Sequence, residues 1–407
     1  MNRSIQSLPM PHVSPSAKQP VPGAAAEPNA VTRSPSDSQF ANRSVYLLGI
    51  GGCGMSGLAR LLRELGAHCQ GSDSTASEIT EALGREAITV SHDESAALPD
   101  ACDFVIASAA IPPDHPQMLA AQSRDIEILT YAEALGRVQS ECTGVSIAGT
   151  HGKSTTTAML CHALLTCGLD PSFIVGAACE QIGGGSRIGA ATIPGDGALA
   201  GQPRLFIAEA CEFNRSFHNH HPRIALITNI EEDHLDVYGS LDNVVAAFAE
   251  FARRLPSREQ GGRLLIAHEG AHRREVTAGL DCDIATFGFS PAADYQVVPD
   301  ETTLSVEVRR NGKTLGRWTN RMPGEHNALN AAAAAILANW FGGDWTTIAS
   351  ALDEFRGIDR RMQRVGERNV PGGSVTVYDD YGHHPTEIEM TPKALRPAEQ
   401  PERLICF

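Results

Sequence analysis

The feature that most constrains this chain is a glycine-rich turn placed between an apolar run and a helix-like segment, and it occurs twice. The first lies in SVYLLGIGGCGMSGLARLLRELG, which begins at Ser44, and the second in GVSIAGTHGKSTTTAMLCHALL, which begins at Gly144. Glycines at a strand-to-helix junction permit a tight turn and let backbone N–H groups approach an anionic ligand at the helix N-terminus. The repetition predicts an α/β fold built from successive strand–turn–helix domains.

The alternation of apolar strands and helices divides the chain into four segments. Residues 1–40 are rich in Pro and Ser, lack the apolar core of a signal peptide and are predicted to form a disordered tail. Residues 41–141 and 142–358 are predicted to be two α/β domains, the first of them Rossmann-like. Residues 359–407 are expected to be the incomplete start of a third α/β domain, since a domain typically has about 100–150 residues. The final RLICF is interpreted as an apolar strand of that domain.

The charge balance and the cysteines exclude several classes of protein. Lys and Arg total 33 against 48 Asp and Glu, for a formal net charge of −15, which gives no basic footprint for nucleic acid and no polybasic membrane anchor. No apolar run approaches the roughly 18 residues needed to span a bilayer. The ten cysteines form no CxxC pair and no framework spacing, a pattern typical of reduced thiols in a cytoplasmic enzyme.

The first turn fits the GxGxxG pattern through Gly49, Gly51 and Gly54. Asp73 ends the next predicted strand, where such folds place an acid on a ribose hydroxyl. These residues alone fit NAD, FAD or a nucleotide sugar equally well, and a turn that only packs a helix on a strand is the alternative. The first turn therefore predicts a diphosphate ligand without identifying it.

The second turn has the character of a phosphate loop for a nucleoside triphosphate. Lys153 is placed to reach the β- and γ-phosphates, and the Ser154 hydroxyl is placed to bind Mg²⁺. The strict Walker spacing fails, because Ile147 occupies the position of its first glycine. This departure weakens the interpretation as a generic kinase or GTPase.

Acidic residues follow two later apolar strands, in Glu209–Glu212 and Glu231–His234. In an open parallel sheet ligands bind beyond the carboxyl ends of the strands, so both clusters are expected to face the phosphate loop and to hold Mg²⁺. Solvated loop charge is the alternative for either cluster alone. The His218–His221 run is interpreted as an exposed loop rather than a zinc site, because no partner residues have ligand spacing.

Four further polar residues are ambiguous by spacing alone. Asn327 and Asn330 lie three apart at the start of a predicted helix and so share one face. Either could cap the helix, or both could grip a purine or ribose. Arg361 and Asp380, in the third segment, have the spacing of ordinary surface charges.

Six ordered motifs together resemble the Mur ligases of peptidoglycan synthesis. They are GIGGCGMSG, GTHGKSTTT, EACEFNRSF, ITNIEEDHLDVYG, GEHNALNAAAA and DDYGHHPTE. The resemblance covers about residues 43–407, and the GIGGCGMSG turn indicates the member of the family that adds L-alanine. It implies a Rossmann-like UDP-sugar domain, a central P-loop-type ATPase α/β domain and the start of a third, Rossmann-like α/β domain.

The resemblance also implies roles for individual residues. The substrate-binding set would be Gly49, Gly51, Gly52, Gly54, Met55, Ser56, Gly57, Asp73, Ser108 and Glu212. The ATP-binding set would be Gly149, Thr150, His151, Gly152, Lys153, Ser154, Thr155, Asn327, Asn330, Arg361 and Asp380. Ser154 would bind one Mg²⁺, and Glu209 and His234 would bind a second. The catalytic set would be Lys153, His151, Glu209, His234 and Arg361. Ser154 replaces the Thr that is usual in this loop and keeps its hydroxyl.

The activity implied by the resemblance is an ATP-dependent ligation in the cytoplasm, with ATP and Mg²⁺ as cofactors. ATP would phosphorylate the carboxylate of UDP-N-acetylmuramate, and the amine of L-alanine would displace phosphate from the acyl phosphate. A ligase that attaches a recycled peptide to the same sugar nucleotide is an alternative, because it would use the same chemistry. An NAD-linked oxidoreductase or a non-catalytic nucleotide-binding relic is a remote alternative. The oxidoreductase would leave GTHGKS and both acidic clusters unexplained.

Overall fold

A computed structural model describes residues 38–93, 95–300, 302–371 and 373–407. Most of the predicted tail, residues 1–37, therefore lies outside the described residues. The last three residues assigned to that tail pack on the first domain: Phe40 is fully buried, and its ring centroid lies 5.6 Å from that of Phe104. Gln39 also bonds through its backbone N–H to the Glu141 carboxylate at 3.0 Å. The packed part of the chain thus begins before residue 41, because Phe40 supplies apolar surface to the core.

The first domain is a five-stranded parallel sheet with helices between the strands. Its strands are Ser44–Leu48 (β1), His68–Ser72 (β2), Thr89–Ser91 (β3), Phe104–Ala107 (β4) and Glu127–Thr130 (β5). Its helices are Cys53–Glu64 (α1), Glu78–Arg85 (α2), Pro116–Ser123 (α3) and Tyr131–Gln139 (α4). The strand order is β3-β2-β1-β4-β5, so the chain leaves β1 in one direction and later returns to its other side. The first glycine turn follows β1 and therefore lies at this switch point, where open α/β sheets bind ligands.

The central domain is built on a ten-stranded sheet. Its strands are Thr143–Ala148 (β6), Ser172–Ile174 (β7), Ser186–Arg187 (β8), Leu205–Glu209 (β9), Ile224–Ile227 (β10), Arg263–Ala267 (β11), Asp283–Gly288 (β12), Tyr295–Asp300 (β13), Ser305–Arg310 (β14) and Lys313–Thr319 (β15). Its helices are Lys153–Thr166 (α5), Leu235–Tyr238 (α6), Leu241–Ala252 (α7), Arg273–Thr277 (α8), Glu325–Trp340 (α9) and Trp345–Glu354 (α10).

The strand order of this sheet is β15-β14-β13-β12-β11-β10-β6-β9-β7-β8. β6 is paired in parallel with β10 on one side and β9 on the other, so the second glycine turn also follows a strand at a switch point. The register places Ile147 of β6 opposite Leu226 and Glu209, which brings the ends of the three strands level. The acidic clusters that follow β9 and β10 consequently flank the phosphate loop.

The core of the central domain lies between the sheet and the helices α5, α9 and α10. Five consecutive alanines, Ala331–Ala335, are buried along α9, and small side chains let α5 approach this helix closely. A second core is shared by both domains, because Ile174 and Phe206 of the central sheet join the apolar side chains of the first domain. A Cβ on Gly57 of α1 would lie 2.7 Å from that of Ser186, so the two domains meet here with no room for a side chain.

The third segment contains an antiparallel hairpin, Gln363–Val370 (β16) and Gly373–Asp379 (β17), followed by the helix Pro385–Glu399 (α11). The prediction of a strand at RLICF is wrong: residues 403–407 form no strand, and Ile405 and Phe407 are exposed. A strand requires a neighbouring strand to satisfy its backbone groups, and the described part of the third segment pairs β16 with β17 alone. In the described residues no helix has both the length and the apolar character needed to span a bilayer.

Candidate active site

The phosphate loop runs from Gly149 to Gly152 and ends where α5 begins at Lys153. Gly149 has φ +136° and Gly152 has φ +81°, backbone conformations that side chains disfavour. A Cβ at Gly149 would lie 2.0 Å from the Thr228 Oγ1, and one at Gly152 would lie 2.4 Å from the Asn330 Oδ1. These two positions therefore require glycine, both for the dihedral angle and for the close approach.

The side chain of Lys153 lies against the loop, where its ammonium is bound by hydrogen-bond acceptors. Its ammonium donates to the carbonyl oxygens of Gly149 and Thr150 at 2.5 and 3.0 Å, and to the Glu212 carboxylate at 2.8 Å. Glu212 is buried, so its charge is compensated mainly by this contact. Glu212, predicted to bind substrate, is thus the ion-pair partner of Lys153 in this structure.

Ser154 and Glu209, two of the predicted magnesium ligands, are in contact. The Ser154 hydroxyl donates to the Glu209 Oε2 at 3.0 Å, and the Gly176 N–H donates to the Oε1 at 2.5 Å. Burial raises the pKa of the Glu209 carboxyl, although those two hydrogen bonds and the charges of Lys153 and Arg361 oppose the shift. A partly buried carboxylate beside a hydroxyl is an all-oxygen donor set, the kind that Mg²⁺ prefers, so these residues fit the ion.

The third predicted magnesium ligand, His234, lies across the same cavity from this pair, with different neighbours. It occupies the left-handed region with φ +51° and packs edge-on against the Phe213 ring at 4.9 Å. Its ligand atom lies within 4.8 Å of those of Glu212 and Asp233, a group that does not include Glu209. The geometry therefore offers His234 to a metal together with Glu212 and Asp233.

Asn327 and Asn330 are buried side by side on α9. The Asn330 Nδ2 donates to the Asn327 Oδ1 at 3.3 Å, and the Asn330 Oδ1 accepts from the Thr156 hydroxyl of α5 at 3.1 Å. The interpretation of either as a helix cap is wrong, because Gly324 is the N-cap of α9. The pair fastens α9 to α5 and lines the cavity at the phosphate loop.

The third segment reaches this loop through Arg361 and the first turn of α11. The Arg361 guanidinium donates to the Glu387 carboxylate at 3.3 Å, and Asp380 accepts the backbone N–H of Met362 and of Gly382 at 2.9 and 2.7 Å. Arg361 and Asp380 both line the cavity and are partly buried, so they are not the ordinary surface charges that spacing alone suggested.

Glu387 is a residue that the sequence analysis did not single out, although it ends the DDYGHHPTE motif. Its Oε1 lies 3.1 Å from the His151 Nδ1. Burial alone would raise the pKa of Glu387, but the hydrogen bond from His151 and the charge of Arg361 lower it to about 2. Glu387 is therefore ionised at neutral pH and joins the third segment to the phosphate loop.

These residues surround one cavity of about 650 Å³. It is lined by the phosphate loop from Thr150 to Thr155, the residues after β9 and β10, the start of α9 and the third segment. All the predicted ATP-binding residues except Gly149 line it, and so do all the predicted magnesium ligands. A cavity of this size, with one lysine and several carboxylates, suits a polyanion bound with a divalent cation.

The first glycine turn has a different environment. Gly49 has φ +74°, and the Gly51 N–H donates to the Asp73 Oδ2 at 2.8 Å. Asp73, predicted to bind a ribose hydroxyl, also accepts the Thr75 N–H at 3.0 Å, so both of its carboxylate oxygens accept backbone N–H groups. Ser108 lies next to Gly49: a Cβ at Gly49 would be 3.1 Å from the Cβ of Ser108.

The remaining residues predicted to bind substrate lie at the start of α1. Met55, Ser56 and Gly57 are buried there, and the Ser56 hydroxyl donates to the Cys53 carbonyl at 3.0 Å. Gly52 is the N-cap of the helix, and a Cβ at Gly54 would lie 3.0 Å from the Tyr131 ring. The predicted substrate residues of this domain thus divide into an accessible turn and a buried helix face.

The His218–His221 run is not simply an exposed loop. His220 is buried, and its Nδ1 lies 2.9 Å from the Ser146 hydroxyl of β6. Burial, with the positive charges of His221 and Arg254, lowers the pKa of His220 to about 4. The prediction of exposure is wrong for His220 because this residue packs where α4 meets the central sheet. Among the described residues, no metal-ligating group of three includes this run.

Comparison with known proteins connects the three parts of the chain. Residues 44–141 match the catalytic domain described for the Mur ligase family, residues 147–338 the Mur ligase middle domain, and residues 360–407 the Mur ligase glutamate ligase domain. UDP-N-acetylmuramate–L-alanine ligase of Agathobacter rectalis is 36% identical over 369 residues, 89% of this chain and 76% of that protein. The ligase of the same name from Laribacter hongkongensis is 36% identical over 371 residues, with the same coverage of both chains.

Solved structures agree with this assignment. The UDP-N-acetylmuramate–alanine ligase of Thermotoga maritima is 27% identical, with a TM-score of 0.69 over 88% of this chain and 79% of that one. A ligase of Neisseria meningitides that is named for a tripeptide acceptor, L-alanyl-γ-D-glutamyl-meso-diaminopimelate, is 26% identical, with a TM-score of 0.70 over 79% of this chain and 100% of that one. The resemblance drawn from the six sequence motifs is thereby confirmed, and the chain belongs to the Mur ligase family.

Proposed function

We propose that this chain ligates L-alanine to UDP-N-acetylmuramate at the expense of ATP, in peptidoglycan precursor synthesis. The observation that carries the proposal is the cavity that brings together Lys153, the Ser154–Glu209 pair and Arg361 of the third segment. The curated relatives at 36% identity support the choice of acceptor, since they are named as alanine ligases. The fold and the site thus agree on phosphoryl transfer to a carboxylate.

The chemistry requires negative charges to meet. A carboxylate does not react with an amine unaided, because its oxygen is a poor leaving group, and its attack on the γ-phosphate brings two anions together. Lys153 would exchange its contact with Glu212 for the phosphates and so offset their charge. Ser154 and Glu209 would hold one Mg²⁺, and His234 would serve a second with its acidic neighbours. When bound, Mg²⁺ neutralises phosphate charge as it builds up during transfer.

The first glycine turn would hold the sugar nucleotide. The turn lies at the switch point of the first sheet, where Gly49, with φ +74°, bends the chain. Asp73, whose two carboxylate oxygens accept the Gly51 and Thr75 N–H groups, would accept a hydroxyl of the uridine ribose with a remaining lone pair. We assign the reaction to the cytoplasm, because all ten cysteines are unpaired, which suits a reducing compartment.

A second candidate has a specific observation in its favour. The ligase of Neisseria meningitides that is named for a tripeptide acceptor has a fold as similar to this chain as that of the alanine ligase of Thermotoga maritima. Both activities would use the same phosphate loop, so the residues described above do not separate them.

Purified protein with ATP, Mg²⁺ and UDP-N-acetylmuramate should be assayed with L-alanine and with the tripeptide in parallel. We expect phosphate release that depends on L-alanine, and a product in which one L-alanine is attached to UDP-N-acetylmuramate. A preference for the tripeptide would replace the proposed acceptor, and binding of NAD without binding of UDP-N-acetylmuramate would exclude ligase function altogether.

A further inference from the structure

The first turn of α11 contacts two side chains of the central domain, Glu231 and His151. The Thr386 hydroxyl donates to the Glu231 Oε2 at 2.8 Å, and the Glu387 Oε1 lies 3.1 Å from the His151 Nδ1. His384, which caps this helix, also contacts the Glu232 carbonyl at 2.8 Å through its Nε2. One helical turn of the third segment therefore fixes side chains on two loops at the phosphate site.

The contact between Glu387 and His151 determines where the imidazole carries its proton. Because the pKa of Glu387 is low, its carboxylate is ionised at neutral pH and can accept a hydrogen bond but cannot donate one. The His151 Nδ1 must therefore be the donor. In the neutral ring a proton on Nδ1 leaves a lone pair on Nε2. Glu387 thus selects the tautomer of His151 as well as the orientation of its ring.

The Nε2 of His151 is buried and has no hydrogen-bond partner among the described residues. It lies 3.5 Å from the Glu231 Oε2, which is also an acceptor. Two acceptors at this distance do not bond to each other, and a cation or a hydrogen-bond donor between them would offset their repulsion. A phosphate oxygen at neutral pH supplies no such donor, whereas an amine supplies two or three protons.

We propose that Glu387 is a positioning residue that holds the His151 Nε2 as the proton acceptor for the attacking amine of L-alanine. The inference rests on the proposed function and deepens it. Glu231 assists by binding the ammonium form of the amine, and Nε2 takes the proton that the ammonium loses to become the free amine. In the ligation step a C–N bond then forms at the acyl phosphate carbon, the C–O bond to phosphate breaks, and the second proton released by the nitrogen leaves with the phosphate.

Hydroxylamine separates this step from phosphoryl transfer. It traps an acyl phosphate as a hydroxamate, and it is largely unprotonated at neutral pH, so it needs no protein group to remove a proton before it attacks. In Glu387→Ala we expect alanine ligation to fall at least tenfold, while ATP-dependent hydroxamate formation from UDP-N-acetylmuramate stays within about twofold of the unaltered protein. Equal losses in both reactions, or a loss in neither, would overturn the positioning role.

Three further variants test whether Glu387 acts through His151. His151→Ala should slow alanine ligation by about 10²-fold, and adding Glu387→Ala to it should slow ligation no further, since coupled residues are non-additive. Glu387→Gln keeps an oxygen that accepts from Nδ1 and should recover most of the activity. Glu389→Ala is the matched control, because Glu389 is exposed on the same helix.

Additive losses in the double variant would assign Glu387 to the packing of α11 alone, and failure of Glu387→Gln to recover activity would exclude orientation of the ring by its oxygen. If the unaltered protein formed no hydroxamate, the proposed function itself would fail. That result is distinct from hydroxamate formation without the Glu387 effect, which refutes the positioning role alone.

Discussion

The two glycine turns share one backbone plan and differ in the charges around it. Each follows a central parallel strand at a switch point and opens a helix, α1 or α5. In the first turn an anion already accepts a backbone N–H, since Asp73 binds the Gly51 N–H. In the second turn Lys153 provides a cation and is paired with Glu212.

This difference shows that glycines determine the shape of such a turn, whereas its side chains determine the charge around it. The turn beside Asp73 suits a hydroxyl-bearing nucleoside with its diphosphate, and the turn with Lys153 suits the more highly charged triphosphate. The third segment reinforces the contrast, because its charged residues Arg361 and Glu387 line the cavity at the second turn.

The largest expected effect comes from Lys153. We expect Lys153→Ala to lower ATP turnover by roughly 10³-fold, because the charge that offsets the phosphates is lost. Binding of UDP-N-acetylmuramate, measured by calorimetry, should be unchanged within about twofold, since it is assigned to the other turn. Lys313→Ala, at an exposed site, is the control. Substantial phosphoryl transfer by Lys153→Ala would show that the second turn is not the ATP site.

The next effect concerns the metal at the second turn. Glu209→Ala should lower ligation by about 10²-fold and raise the Mg²⁺ concentration needed for half-maximal rate, because Ser154 loses its partner oxygen. His234→Ala should also shift the Mg²⁺ dependence, measured by titrating the rate. His68→Ala, on an exposed histidine, is the control. An unchanged Mg²⁺ dependence in His234→Ala would remove this residue from the metal site.

A smaller effect, on the sugar nucleotide rather than on ATP, is expected at the first turn. Asp73→Ala should raise KM for UDP-N-acetylmuramate about tenfold and leave KM for ATP unchanged, since it removes two charge-assisted hydrogen bonds that hold the turn. Asp73→Asn keeps an acceptor oxygen and should have a smaller effect in the same steady-state assay. A change in KM for ATP instead would mean that the two turns do not divide the ligands as proposed.

The smallest effect on activity is expected at His220, which contacts Ser146 of β6, the strand that leads to the second turn. Here the prediction concerns the free energy of unfolding. The low pKa of His220 means that the unfolded chain takes up this proton first as pH falls below about 6.5. The contribution of neutral His220 is therefore complete above pH 6.5 and decreases toward pH 4, where the loss is on the order of 3 kcal/mol.

Denaturant unfolding between pH 7 and pH 4 tests this joint. His220→Gln cannot take up the proton, so its free energy of unfolding should depend less on pH in this window than that of the unaltered protein. His68→Gln, on the exposed surface of the first domain, should leave the dependence unchanged. Equal pH dependence in His220→Gln and the unaltered protein would show that His220 does not contribute to acid sensitivity.

The sequence by itself determined both strand–turn–helix units, the acidic ends of β9 and β10 and the identity of the family. These features are local: a glycine turn, a short apolar strand and the residue that follows it depend on neighbours a few positions apart. Parallel pairing then places the ends of neighbouring strands at one edge, so the sequence predicts Glu209 near Ser154, and their side chains are hydrogen-bonded.

Only the tertiary structure decided which partners those residues have. His151 and Glu387 are 236 positions apart, and no local pattern indicates that α11 brings them within 3.1 Å. The burial of His220, the Lys153–Glu212 pair and the absence of a strand at RLICF likewise depend on contacts between distant segments. The physical reason is that hydrogen bonding and desolvation depend on the neighbours in space, which the chain acquires only when its domains pack together.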